Sequence, residues 1–179
     1  QHTGLQIREL PSRSIIYEVL AGRIDLGMGP FQKNMSAFCC VPLYEETRHL
    51  VVGRKHPLYK NIISGDLHSL RDTALITSAL DDPEMRPSIQ RIRDNFATTW
   101  EISSLSLRIH MVDQGLGLGY INNKLLEEHP VCREFDVVEE ISFGSINRQV
   151  GLYHKKGADL AEGAAKFVAL SKAFWSDLK

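Results

Sequence analysis

Two serines stand where a hydroxyl can work together with a helix end. Ser12 leads into Ile15, Ile16, Val19 and Leu20, and Ser103-Ser104 leads into Leu105, Ile109, Met111 and Val112. A serine at a helix start accepts a bond from an orphan backbone N–H. The remaining free N–H groups and the helix dipole favour an anion at the same place. The chemistry offered is therefore capture of a small negatively charged group.

Other chemistries find less support. Gly115-x-Gly117-x-Gly119 suggests a dinucleotide site, but that fingerprint runs from strand through glycines into a helix with GxGxxG spacing. Here the order is helix, glycines, strand, so the glycines read as a helix terminus and close sheet packing. Asp81, Asp82 and Glu84 could hold a divalent ion, although beside Pro83 they read more simply as a solvated turn. The histidines at 56, 68, 110, 129 and 154 make no HxxH-like ligand spacing, and His110, mid-helix among apolar residues, reads as a satisfied, partly buried side chain. No GxSxG elbow supports a hydrolase triad. Asp25 reads equally as a site carboxylate or as a strand-edge residue bonded to backbone. Cys39, Cys40 and Cys132 form no CxxC or zinc pattern and are expected as buried structural thiols in a reducing compartment. No metal or cofactor is expected.

These residues need elements to hold them. Leu5 to Glu9 alternates apolar and polar residues like a half-covered strand, a helix follows from Ser12 to Ala21 with Gly22 closing it, and Ile24 to Met28 reads as a strand before the breaker Gly29-Pro30. The same grammar returns with a strand at Trp100 to Ile102, a helix from Ser104 closed by Gly115, and a strand from Leu116 to Ile121. Each set reads as a β-α-β unit, whose parallel strands need a right-handed helical crossover. Each serine then lies beyond the carboxyl end of a strand, where open α/β sheets bind ligands. Further strands are expected at Thr47 to Gly53, Thr73 to Ser78, Phe135 to Ile141 and Arg148 to His154, with a short helix or turn at Ser64 to Leu70. Helices are expected from Pro87, from Asn122 or Asn123 as far as Glu127, and from Asp159 to Ser176. The stripe Ile15, Ile16, Val19, Leu20 is core, and its width leaves room for a subunit contact.

Composition fits such a domain. With 43% apolar and 24% charged residues and a net charge of −1, there is no basic excess to bind nucleic acid. A chain of 179 residues buries about 70% of its unfolded surface, enough for a real core. No run approaches the roughly 18 apolar residues of a membrane span. The opening Gln1-His2-Thr3-Gly4 shows neither region of a signal peptide and reads as the start of a fragment.

Taken in order, Ser12 with Val19-Leu20-Ala21-Gly22-Arg23-Ile24-Asp25-Leu26-Gly27, then Val41-Pro42-Leu43-Tyr44-Glu45-Glu46, His49-Leu50-Val51-Val52 and His56-Pro57-Leu58, then Ser104 with Met111-Val112-Asp113-Gln114-Gly115-Leu116-Gly117, resemble the effector-binding domain of LysR-type transcriptional regulators. The resemblance implies an α/β fold of two Rossmann-like lobes, as in type 2 periplasmic binding proteins, joined by two crossover segments. Lobe I would be 1–72 with 150–179, and lobe II 73–149. A small effector would lie in the cleft between the lobes. Ser12 resembles the lobe I hydroxyl facing it, and Ser104 and Leu105 the helix start on the opposite wall. Arg86-Pro87-Ser88 resembles the loop lining the cleft beside them, with Arg86 as a bidentate partner for a carboxylate and Ser88 next to it.

Such a domain is a cytoplasmic sensor rather than an enzyme. It assembles as a homodimer or homotetramer and touches DNA only through a separate helix-turn-helix domain that this chain lacks. The family's domain also opens with a strand and helix before the equivalent of Leu5; these are absent here, so lobe I is expected to be partial or completed by a neighbouring chain. A solute-binding protein of a transport system shares the fold and is the alternative reading.

Overall fold

The computed structural model describes residues 4–78, 92–138 and 146–176. The chain divides into two compact units, Gln1–Glu45 with Arg148–Lys179 and Glu46–Asn147. Strands β2 (Phe38–Gly53) and β7 (Ile146–Lys155) run from one into the other. Residues 46–72, drawn with lobe I from the sequence, pack in the second unit: Arg48 to Gly53 pair there with two other strands, and Ile62 and Leu70 share a cluster with Leu75 and Leu118.

The first unit holds helix α1 (Ser12–Leu20), strand β1 (Gly27–Pro30), the first half of β2, most of β7 and the C-terminal helix α5 (Glu162–Ser176). β1 runs antiparallel to β7, with Gly27 opposite Tyr153 and Pro30 opposite Val150. The stripe Ile15, Ile16, Val19, Leu20 packs on Phe38 and Tyr153 as expected of core. The rings of Phe38 and Tyr153 meet edge to face at 5.5 Å. Helix α5 buries none of its residues and leaves Phe167, Leu170 and Phe174 exposed. It is pinned by Trp175, whose ring stacks on Tyr44 at 4.2 Å and meets Phe174 edge to face.

Two expectations fail in this unit. Leu5 to Glu9 is not a strand, and Leu5 and Ile7 are 71% and 81% exposed. Alternation predicts which face would be covered but cannot supply a hydrogen-bonded neighbour, and no described strand lies beside this segment. The first β-α-β unit is therefore not formed; the strand after α1 starts at Gly27, three residues later than Ile24, and pairs antiparallel with β7. Cys39 and Cys40 are exposed, against the expectation of buried thiols, while Phe38 and Leu43 take the buried positions in this part of β2. Cys132 is buried, and burial pushes its thiol up to about 11.

The second unit is a sheet in the order β6-β2-β5-β3-β4, comprising β3 (Ala74–Thr77), β4 (Thr98–Glu101), β5 (Leu118–Asn122) and β6 (Phe135–Val137) beside the second half of β2. β3 pairs parallel with both β4 and β5, whereas β2 pairs antiparallel with β5 and β6. Successive residues feed opposite faces. Leu50, Val52, Leu75 and Leu118 enter one cluster, Val51, Ile76 and Ile121 the other. Covering both faces explains why β3 reads as a continuous apolar run.

Helix α3 (Leu105–Asp113) crosses from β4 to β5, the parallel crossover read from the sequence. The short helices α2 (Tyr59–Ile63) and α4 (Asn123–Glu128) complete the unit, α4 capped by Asn122, whose Oδ1 accepts the Leu125 N–H at 2.8 Å. His110 is exposed rather than partly buried. Ile109 and Val112 take the buried side of α3, and a residue one step on from Ile109 points about 100° away.

Candidate functional site

Parallel strands β3 and β4 end side by side at Thr77 and Glu101, and the Ile102 N–H donates to the Thr77 carbonyl at 2.7 Å. The chain then turns through Ser103 into α3. Ser104 occupies the cap position, and its Oγ accepts the Leu107 N–H at 3.3 Å. Arg108 ties the turn from inside, donating through Nη1 to the Ile102 carbonyl at 3.3 Å. Leu105, half-buried, packs on the cluster of Ile109 and Val112 and fixes the direction in which the helix starts. Ser104 itself is exposed. No acidic residue stands in the first turn of α3, so its positive end is not neutralised from within the helix.

Helix α1 starts differently. The cap position belongs to Pro11, and Ser12 is the first helical residue, so its hydroxyl does not cap the helix as a leading serine would. Proline suits this end because the first N–H groups of a helix have no intrahelical acceptor. The first turn of α1 is likewise free of acidic residues. Ser12 lies in the first unit and Ser104 with Leu105 in the second; Arg86 and Ser88 lie outside the described residues, as do Asp81, Asp82 and Glu84. Among the described residues no group of three or more His, Cys, Asp or Glu side chains is placed to hold a metal ion.

The geometry adds two hydroxyls that sequence reasoning treated only as strand. Thr77 is buried at the end of β3 and Ser78 follows it half-buried, next to the Ile102-Ser103 turn. The signal available in the sequence was their place at the carboxyl end of an apolar strand, which becomes informative once β4 is known to be its parallel neighbour. Asp25 is exposed and precedes β1. No helix among the described residues is long and apolar enough to cross a membrane.

The fold has many solved counterparts. The Synechocystis CcmR regulatory domain in complex with 2-PG superposes with a TM-score of 0.69 at 16% identity, over 92% of this chain and 79% of that one. The regulatory domain of HypT from Salmonella typhimurium in its apo form gives 0.72 at 14% identity, over 94% and 80%. The effector binding domain of QuiR in complex with shikimate gives 0.64 at 18% identity, over 93% and 78%. No curated protein matches the chain in sequence. At these identities the structures establish a common fold, the two-lobed α/β architecture of type 2 periplasmic binding proteins. The LysR substrate binding domain family matches residues 1–176, nearly the whole length. With that match added to the crossover helix and its capping serine, the chain belongs to the LysR substrate-binding domain family, whose members are regulatory domains of transcription factors.

Proposed function

We propose that this chain is the ligand-sensing and oligomerising domain of a LysR-type DNA-binding regulator working in the cytoplasm, without catalytic activity of its own. The effector is a small anion such as a carboxylate. Ser104 and the first N–H groups of α3 receive it, with Leu105 beside them, and Ser12 at the start of α1 is a further contact. Arg86 supplies a two-pronged partner for a carboxylate and Ser88 a further hydroxyl. The protein acts as a homodimer or homotetramer and reaches DNA through a helix-turn-helix domain outside this chain. The effector shifts the regulator only by its different affinity for two conformations.

The observation that carries this reading is the start of α3: an exposed, serine-capped helix end with no acid in its first turn, at the carboxyl ends of two parallel strands. Two regulatory domains of the same fold are described with small ligands, 2-PG and shikimate.

The test is a thermal-shift screen of small carboxylates on the chain and on Ser104→Asp. A ligand at a hundred times its Kd adds about 2.7 kcal/mol of stability. Ser104→Asp keeps a good cap but sets a negative charge where the ligand's would lie, so it should fold normally and lose the ligand-induced shift. A panel that shifts nothing, or a shift that Ser104→Asp leaves intact, refutes the reading.

A further inference from the structure

Helix α3 presents Ser104 at one end, and its other end rests on the turn that follows β2. The seat is backbone against backbone. A Cβ at Gly53 would press into the Val112 carbonyl oxygen, and one at Gly115 would lie 2.6 Å from the Lys55 carbonyl oxygen and 2.8 Å from the His56 Cα. Neither position can carry a side chain unless helix or turn moves, and backbone, unlike a flexible side chain, has no alternative rotamer to adopt.

The helix end is itself fixed. The Gly115 N–H donates to the Val112 carbonyl and the Leu116 N–H to the Met111 carbonyl, both at 3.0 Å, with Gly115 at φ +72°. The turn is closed by the His56 N–H on the Gly53 carbonyl and continues into α2 through the Tyr59 N–H on the His56 carbonyl. Lys55 bridges the two parts, its Nζ 2.9 Å from Asp113 Oδ2.

We propose that Gly53 and Gly115 are positioning residues for the start of α3: the Gly53–His56 turn is a stop for the helix's C-terminal end, and sets how far Ser104 and Leu105 project past β3 and β4. The proposal rests on the preceding reading for Ser104 as a ligand contact. The mechanical link rests on the packing of the second unit alone. Nine helical residues span about 14 Å, and a binding constellation must be held to about 0.5 Å. Displacement at the seat is therefore delivered at the serine end.

The test uses the ligand-free chain and two amides at the far end of the helix. The Leu107 N–H donates to Ser104 Oγ and the Arg108 N–H to the Ser104 carbonyl. Gly22 is the control, since it shares the left-handed backbone of Gly115, φ +69°, but a Cβ there meets nothing within 4 Å. Asparagine tolerates that backbone. Gly22→Asn should leave both amides unchanged, whereas Gly115→Asn and Gly53→Ala should speed their hydrogen exchange about tenfold and move their NMR shifts.

If the seat variants lower the melting temperature but leave Leu107 and Arg108 at wild-type exchange, the seat holds only its own end of the helix and the proposal fails. Should either variant not fold, Asp113→Ala removes the Lys55 bridge, together with the Gln114 Nε2 bond to the same carboxylate, and leaves both glycines in place. A smaller acceleration at the same two amides is then expected, and none refutes the proposal. No ligand enters these measurements, so their failure is distinct from failure of the effector reading.

Discussion

The Tyr153 ring fills the space that a side chain at Gly27 would need, its Cζ 2.6 Å from where that Cβ would stand, across the β1–β7 pair. Ile15 Cγ2 closes the same space at 2.8 Å, so one glycine lets helix, strand and ring converge. Gly27→Ala should destabilise the fold by about 1–3 kcal/mol, as overpacking does, and urea unfolding measures the loss. Gly29→Ala, where a Cβ meets nothing within 4 Å, should cost far less.

His56 gives the fold a pH dependence of defined sign. The residue is 7% exposed, and its Nδ1 accepts the Leu58 N–H at 3.1 Å, a bond only the unprotonated nitrogen can accept. Burial lowers its folded pKa below the ordinary 6.5. The unfolded chain therefore binds the proton first. The histidine's contribution is complete above about pH 6.5 and is lost as pH falls through the lowered folded value. Urea midpoints between about pH 7.5 and 5 should fall, and His56→Asn, which keeps an acceptor but does not titrate there, should flatten that part of the profile.

Asn122 serves two partners, capping α4 through Oδ1 and donating through Nδ2 to Glu46 Oε2 at 3.4 Å. Glu46 is 6% exposed and is paired with Arg48 at 2.7 Å. Asn122→Asp retains the cap but sets a second carboxylate against a buried one. It should cost about 1–3 kcal/mol at pH 7, and the loss should shrink on acidification as one carboxyl takes up a proton. Asn122→Ala should cost about 1 kcal/mol for the cap, with no such recovery.

The thiols should separate by place. Cys39 and Cys40 are exposed and Cys132 is buried with its thiol pushed up to about 11. A colorimetric disulfide reagent should titrate two thiols per native chain and the third only after denaturation. Three fast thiols would contradict the packing of Cys132 against Phe135 and Ile121.

What could be read beforehand follows from how local each signal is. Ser104 and Gly115 act within one turn of their own helix, so cap and terminus were legible, and so was the crossover they frame. Leu5 to Glu9 had the right alternation, but a strand also needs a neighbour, which alternation cannot specify. The full length of β2 was hidden by Pro42, a residue that argues against a strand interior until pairing is known. Thr77 and Ser78 join the Ser104 end only because β3 and β4 pair in parallel, a relation between residues more than twenty positions apart.

The stacking of Trp175 on Tyr44 carries a practical consequence. The chain has two tryptophans, and the other, Trp100, stands exposed on β4. Each unit thus owns a single tryptophan, one in contact with two aromatic rings and one open to solvent. Replacing either by phenylalanine leaves a chain whose tryptophan emission, excited beyond the tyrosine band, reports the melting of one half, so cooperativity between the halves can be followed without attaching a dye.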